Sequence, residues 1–169
     1  MERQVKELKN PLIREIQDWY AAHARGRKAV IDVTGGKNDA VCAALYTAAL
    51  GNQQIMGVLM PNGSQRDLPD SYQLVDHLEI PSMIINIAGA VSSIHTQLNQ
   101  SDLSATQQAD ALLLPGIRAA VLQTVAKATN SIVMDVHALP RGWTRLSARD
   151  KTELGLLLGL PRNLVERSN

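Results

Sequence analysis

The chain has 169 residues, a formal net charge of +1, 45% hydrophobic residues and 20% charged ones. That length suits one globular domain with a sizeable core, and the balanced charge gives no footprint for nucleic acid or an acidic membrane surface. Phenylalanine is absent and Trp19, Trp143, Tyr20, Tyr46 and Tyr72 are the only aromatics, so an aliphatic core is expected and base-stacking platforms are scarce.

Residues 4–25 predict an amphipathic helix, divided at Pro11, with Leu12, Ile13, Ile16, Trp19 and Tyr20 in an apolar stripe. Gly26 ends it, and Arg25, Arg27 and Lys28 sit near its C-terminal dipole. Residues 29–33 read as a buried strand, Thr34-Gly35-Gly36-Lys37-Asn38 as a glycine-rich turn, and 39–50 as a helix with Val41, Ala44, Leu45 and Ala48 on one face. Residues 55–60 predict a second strand. The helix that follows starts near Pro69 and turns Tyr72, Leu74, Val75 and Leu78 inward. Residues 83–87 predict a third strand and 89–98 a short helix burying Val91, Ile94 and Leu98. After the polar connection 99–109, Pro115 and Gly116 confine the well-formed helix to 117–128. Residues 132–136 predict a fourth strand and 137–144 a loop. Ser147 then caps a helix that runs to 158, with Leu154, Leu157 and Leu158 inward, before a last helical turn at 160–165.

Short apolar strands alternating with helices predict an α/β fold in a single domain spanning 1–169. The sheet is expected to be doubly wound, Rossmann-like and parallel, with four to five strands and helices on both faces. Ligands in such sheets bind beyond the carboxyl ends of the strands, which sets residues 34–39, 62–67 and 135–137 along one edge. Strand, glycine turn and helix together build a phosphate cradle, because glycines let backbone N–H groups approach an anion at a helix start. A tight connection capped by Asn38 satisfies the same pattern.

Cys42, the single cysteine, excludes an intrachain disulfide and reads as a packing residue among Val41, Ala43 and Ala44. His23, His77, His95 and His137 have no metal-site spacing, although His137 lies near the predicted ligand edge. Ser92 and Ser93 have no neighbour that suggests a nucleophile, and Asp67 and Asp70 answer a helix dipole. The N-terminal MERQVKELKN has no apolar signal region and no run is expected to approach membrane-spanning length, so a cytoplasmic protein is expected.

The glycine turn resembles the Ser-Gly-Gly-x-Asp-Ser pyrophosphatase loop of ATP-dependent adenylating enzymes. Residues 60–67, MPNGSQRD, are similar to the Pro-x-Gly-x-Gln-x-Asp stretch of ammonia-dependent NAD synthetases. Residues 86–91 resemble their Asn-Ile-Lys-x-Ala-Val, and 146–165 their Leu-Thr-Lys-Arg-Gln segment and Leu-Gly-x-Pro turn. The chain is identified on these stretches as a divergent, shortened member of that family. The resemblance implies a homodimer that makes NAD from deamido-NAD, ATP and ammonia with Mg²⁺. It puts Thr34, Gly35, Gly36, Lys37, Asn38, Asp39 and Gln65 at the nucleotide and phosphates and Arg118 at the substrate. It also implies pairing through the helices at 89–98 and 110–129, with Val91, Ile94, Val121 and Val125 toward a partner.

Several functional positions depart from the family pattern. The loop's metal-binding Asp falls on Asn38, an uncharged and poor Mg²⁺ ligand, and its second Ser on Asp39, which would repel pyrophosphate. The first Arg of the family's Asn-x-x-Ala-Arg-x-Arg helix becomes Gly116, while Arg118 keeps the second. The nucleotide-contacting Thr becomes Val136, the metal-binding Glu becomes Arg141, and the Lys of Leu-Thr-Lys becomes Ala148. The Lys-bearing loop before Leu146 is missing, and the chain stops at Asn169, where the family's Pro-Thr-Ala-Asp would begin. The expectation is a non-catalytic adenine-nucleotide-binding or scaffold homodimer, with ATP as the candidate ligand, Mg²⁺ in doubt, and no nucleic-acid or membrane partner. The alternative is a divergent ATP-dependent amide ligase. In it Asp39 carries the metal with Asp32 or Asp135, and Lys37 and Arg141 meet phosphate.

Overall fold

Alternate residues of the central strand enter two different cores. Ala29, Ile31 and Val33 point into one hydrophobic cluster, and Val30 into the other. The second strand repeats the division, with Ile55 and Leu59 on one side and Val58 and Met60 on the other. A strand buried on both faces reads as a continuous apolar run, which is how 29–33 and 55–60 look in sequence. The computed structural model describes residues 2–63, 68–101, 103, 107–135 and 138–166.

Among these, four parallel strands form one sheet in the order β3-β2-β1-β4: β1 (Ala29–Asp32), β2 (Ile55–Leu59), β3 (Ser82–Ile84) and β4 (Ile132–Val133). Ala29 pairs with Ile55 on one side and with Ile132 on the other, and Gly57 pairs with Ser82. The helices are α1 (Glu2–His23), α2 (Lys37–Leu50), α3 (Leu68–Leu78), α4 (Ala88–Gln100), α5 (Gln107–Ala128), α6 (Ala148–Leu157) and α7 (Arg162–Val165). The larger cluster joins β1 and β2 to α1, α2, α3, α6 and α7, through residues such as Ile16, Leu45, Leu74, Leu154 and Leu164. On the opposite face Val91 of α4 and Leu122, Val125 and Ala126 of α5 cover Val30 and Val58. This is the doubly wound sheet expected from the sequence.

Several local expectations are corrected. Both prolines lie inside unbroken helices, Pro11 in α1 and Pro115 in α5. Each removes one backbone hydrogen bond, at a cost of about 3 kcal/mol in an isolated helix. Tertiary packing offsets it: Val5, Leu12 and Ile16 anchor α1 on both sides of Pro11, and Arg118, Leu122 and Val125 hold α5 to the sheet after Pro115. Helix α2 starts two residues earlier than a cap at Asn38 requires. Gly36 is its N-cap, with no side-chain cap. Ala48, Tyr72, Ile94 and Leu157 are exposed where an inward face was expected, since each sits at the margin of its helix's buried stripe. At 22 residues, α5 is also long and apolar enough by composition to cross a membrane, contrary to expectation. It contacts β1, β4 and α4, and most of its apolar stretch lies outside the core.

The predicted cap at Ser147 is present as a full capping box. Ser147 Oγ accepts from the Asp150 amide at 3.1 Å, and Asp150 Oδ2 accepts from the Ser147 amide at 2.9 Å. Helix α6 then lies so close to α2 that only glycine fits at 155. A Cβ there would stand 2.7 Å from Val165 Cγ1 and 3.0 Å from Val41 Cγ2. Replacement of Gly155 by Ala is therefore expected to cost about 1–3 kcal/mol through overpacking. Urea unfolding checks this, and an unchanged midpoint would contradict the close α2–α6 contact.

Candidate functional site

The sheet order reverses between β1 and β4, with α2 and α5 on opposite sides of that point. Crossovers diverge at such a switch point and leave a crevice at the carboxyl ends of the strands. A cleft of about 500 Å³ opens there. Asp32 of β1 and Met134 and Asp135 after β4 form its base, Cys42 and Tyr46 of α2 one wall, and Leu114, Arg118 and Leu122 of α5 the other. That volume lies within the range of small-molecule sites.

Two of the cleft's charges pair with each other, and a third is bonded to a hydroxyl. Arg118 donates from Nε to Asp32 Oδ2 at 2.9 Å and from Nη2 to Asp32 Oδ1 at 2.7 Å, a two-pronged ion pair between α5 and β1. Its Nη1 donates to the Met60 carbonyl at 3.3 Å. In the glycine turn the Thr34 hydroxyl donates to Asp39 Oδ2 and accepts from the Gly36 amide at 3.2 Å. Gly35 takes φ +81°, a left-handed backbone suited to glycine. The space above Gly36 is bounded by the chain's own side chains, since a Cβ there would meet Thr34 Oγ1 at 3.4 Å and Asp39 Oδ2 at 3.8 Å. Asp39 also lies in the first turn of α2, where its carboxylate meets the positive end of the helix dipole.

Two further wall groups stay neutral. Burial pushes the Cys42 thiol up to about 12, so it is no thiolate near neutral pH. Burial likewise raises Tyr46 above the usual phenol range, and its hydroxyl donates to the Asp135 carbonyl at 3.1 Å. Cys42 is only half-buried, and it lines the cleft instead of being fully enclosed by packing.

Of the predicted site residues, Asp39 and Arg118 meet in the cleft, while Thr34, Gly35 and Gly36 form the adjoining turn. Lys37 and Asn38 follow in the first turn of α2 but are not among the lining residues. Gln65, Val136 and His137 lie outside the described residues. Arg141 begins a 3-10 turn at 141–145, with its amide donating to Glu15 of α1 at 3.0 Å. His23, His77 and His95 bond separately to the Trp19 carbonyl, the Gly159 carbonyl and Asp110. Tyr46, Leu114 and Leu122 were not legible as cleft residues. Helical periodicity marks an apolar face without saying whether it meets core or cavity.

Magnesium does not suit the donors present. Among the described residues no three His, Cys, Asp or Glu side chains are grouped to hold a metal. Both oxygens of Asp32 are held by a guanidinium, and Asp39 shares one oxygen with Thr34. A hard dication needs several free oxygens around it.

A profile for NAD synthase matches residues 9–138. The chain belongs to the NAD synthase family. Among curated relatives it is similar to the NH(3)-dependent NAD(+) synthetase of Pyrococcus furiosus, 30% identical over 62% of this chain and 40% of the relative. It is likewise similar to that of Methanococcoides burtonii, 29% identical over 83% and 60%. The matched stretch thus spans less than two thirds of either relative. Among solved structures, an NH3-dependent NAD synthetase from Campylobacter jejuni superposes with a TM-score of 0.77 at 18% identity, covering 96% of this chain and 76% of that one. An NMN synthetase from Francisella tularensis superposes with a TM-score of 0.73 at 22% identity, over 98% and 75%. At these identities the superpositions establish the NAD synthase fold.

The Asp32–Arg118 pair is mostly shielded, with side chains 25% and 14% exposed. Arg118→Ala is expected to destabilise the protein by about 2–4 kcal/mol, because it leaves a shielded carboxylate unpaired. The corresponding cycle with Asp32→Asn is expected to show coupling above about 1 kcal/mol by chemical unfolding. Additive single and double variants would refute a direct pair.

Proposed function

We propose that this chain is a non-catalytic member of the NAD synthase family, acting as a small-molecule-binding scaffold that associates as a homodimer. The observation that carries the reading is the internal engagement of Asp32 and Asp39, the carboxylates nearest the glycine turn. One is clamped by Arg118 and the other is bonded to Thr34. Amide ligation through an adenylate needs neutralised phosphates and positioned donors around the transferring group. Such donors are poorly supplied here. Asn38 and Gly116 stand where the family resemblance requires an acid and a base, and Arg118 has three of its N–H groups committed within the protein.

The relatives' names assign them synthesis of NAD, and the adenine nucleotide of that reaction is the ligand class the family suggests for this cleft. No NAD is expected to form from deamido-NAD, ATP and ammonium with this chain, under conditions where a family synthetase turns over. Product detected above the no-protein control would overturn the proposal and favour an amide ligase using Asp39.

The dimer reading rests on α4 and α5, which are joined by a 2.7 Å contact between His95 Nε2 and Asp110 Oδ1. Leu112 is 78% exposed, and Ile94 and Leu103 are exposed as well. A small domain seldom leaves such a surface to water unless something covers it. The partner-facing set expected from the sequence is corrected. Val91 and Val125 are buried in the second core and Val121 packs against it, which leaves Ile94 as the outward member. Light scattering at micromolar concentration should give twice the chain mass, and Leu112→Glu should return the monomer. A monomeric unmodified chain would contradict the proposal.

A further inference from the structure

The chain leaving β2 is held to its neighbour as far as Pro61. The Leu59 carbonyl accepts from the Ile85 amide at 2.8 Å, and the Pro61 carbonyl accepts from the Ile87 amide at 2.9 Å. Asn62 and Gly63 come next. Among the described residues, neither takes part in a hydrogen bond through backbone or side chain. Gly63 is exposed, takes φ +77°, and has open space where a β-carbon would stand. A glycine in such a turn leaves its amide nitrogen unscreened by any side chain of its own.

An asparagine side chain is attacked at Cγ by the amide nitrogen of the residue that follows it. The step needs a side chain free to rotate, an uncommitted amide and little steric cover. At the other described asparagines the fold withholds at least one of these. Asn86 Oδ1 accepts from the Ala88 amide at 2.9 Å, and the Ile87 amide is the one bonded to Pro61. Asn52 donates to the Glu79 carbonyl at 3.3 Å, and Asn163 exchanges two hydrogen bonds with Gln73. The amide after Asn130 donates to the Ala126 carbonyl at 2.7 Å. Asn38 and Asn99 lie within α2 and α4, whose helical backbone turns the next amide away from the side chain, and Asn10 precedes a proline. Asn62 meets all three conditions.

We propose that Asn62 is a site of spontaneous modification, left by the folded chain nearly as reactive as in the unfolded one. The Gly63 nitrogen bonds to Asn62 Cγ, the Cγ–Nδ2 bond breaks, and the Gly63 amide proton leaves with the departing ammonia. The product is a cyclic succinimide, formed without oxidation or reduction. Water is the co-reactant of the second step. Its addition at Cγ restores the original backbone with aspartate at 62. Its addition at the Asn62 carbonyl carbon gives isoaspartate, in which the backbone runs through the side chain. Either product adds one carboxylate and so cancels the chain's formal net charge of +1. Loss of net charge favours association. The new charge stands at the carboxyl edge of β2, just after the Met60 carbonyl that accepts from Arg118. The inference concerns the chain's own chemistry and is independent of the functional reading.

The test incubates the whole chain in mildly alkaline buffer, folded and in urea, and follows each asparagine by peptide mapping and mass spectrometry. The urea sample gives the reference rate for every site. Conversion at Asn62 in the folded chain is expected within about tenfold of that reference, a barrier difference under about 1.4 kcal/mol. Isoaspartate is expected to exceed aspartate there, while Asn52, Asn86, Asn130 and Asn163 slow on folding by more than Asn62 does. An acidic form should grow on ion exchange at the rate mapped for Asn62. Asn62→Gln should remove that form, because the longer side chain closes its ring far more slowly, and should leave the urea midpoint unchanged.

No conversion at Asn62 in the folded chain, a folded rate slower than that margin, or aspartate without isoaspartate would each overturn the inference. So would an acidic form that grows equally fast in Asn62→Gln.

Discussion

Asp32 closes β1, and both of its carboxylate oxygens accept from Arg118 near the middle of α5. This contact ties the central strand to a helix with few other buried side chains on its N-terminal half. A shielded ion pair adds little net stability over an apolar contact, but it fixes geometry, because breaking it strands a charge. The pair holds Leu114 and Leu122 as one wall of the cleft. It also consumes the charge a ligand-binding arginine would offer an anion. The same interaction therefore organises the site and limits what the site can receive.

The glycine turn shows the same behaviour on a smaller scale. Its backbone has the shape of an anion cradle, with Gly35 left-handed and the N-terminus of α2 behind it. Asp39 supplies the negative charge from within the chain, and Thr34 holds that carboxylate in place. An internal carboxylate at a helix start satisfies the dipole as an external phosphate would. The fold survives this substitution because it is built elsewhere. Two aliphatic cores on opposite faces of the sheet hold the strands, and neither includes Thr34 or Asp39. Superposition on both an NAD synthetase and an NMN synthetase makes the same point, since one architecture is shared by proteins named for different products.

The two faces of the sheet are unequally covered. Five helices pack on one side, where close approaches such as Gly155 on Val165 and Val41 leave no spare room. Among the described residues α4 and α5 cover the other, and Ile94, Leu112 and, between the helices, Leu103 are exposed. A helix apolar around most of its circumference is under-buried by a single layer of contacts, so the demand for a further neighbour comes from composition as much as from shape.

The sequence by itself determined the alternation of strands and helices, the parallel doubly wound sheet, the edge at which the cleft opens and the family. Each depends on local apolar runs, turn glycines and motif spacing, which are written along the chain. The cap at Ser147 was legible for the same reason, because its partner Asp150 lies three residues away. The helices through Pro11 and Pro115 were decided only by tertiary packing, which outweighs a local backbone cost that sequence reasoning sees in isolation. Asp32 and Arg118 are separated by 86 positions, and Tyr46 meets the Asp135 carbonyl across 89. Contacts at such distances leave no periodic signal. The sequence could show that the cleft residues were unusual for their family, but only the folded chain could decide that Arg118 clamps Asp32 and Thr34 holds Asp39 beside a largely apolar cleft wall.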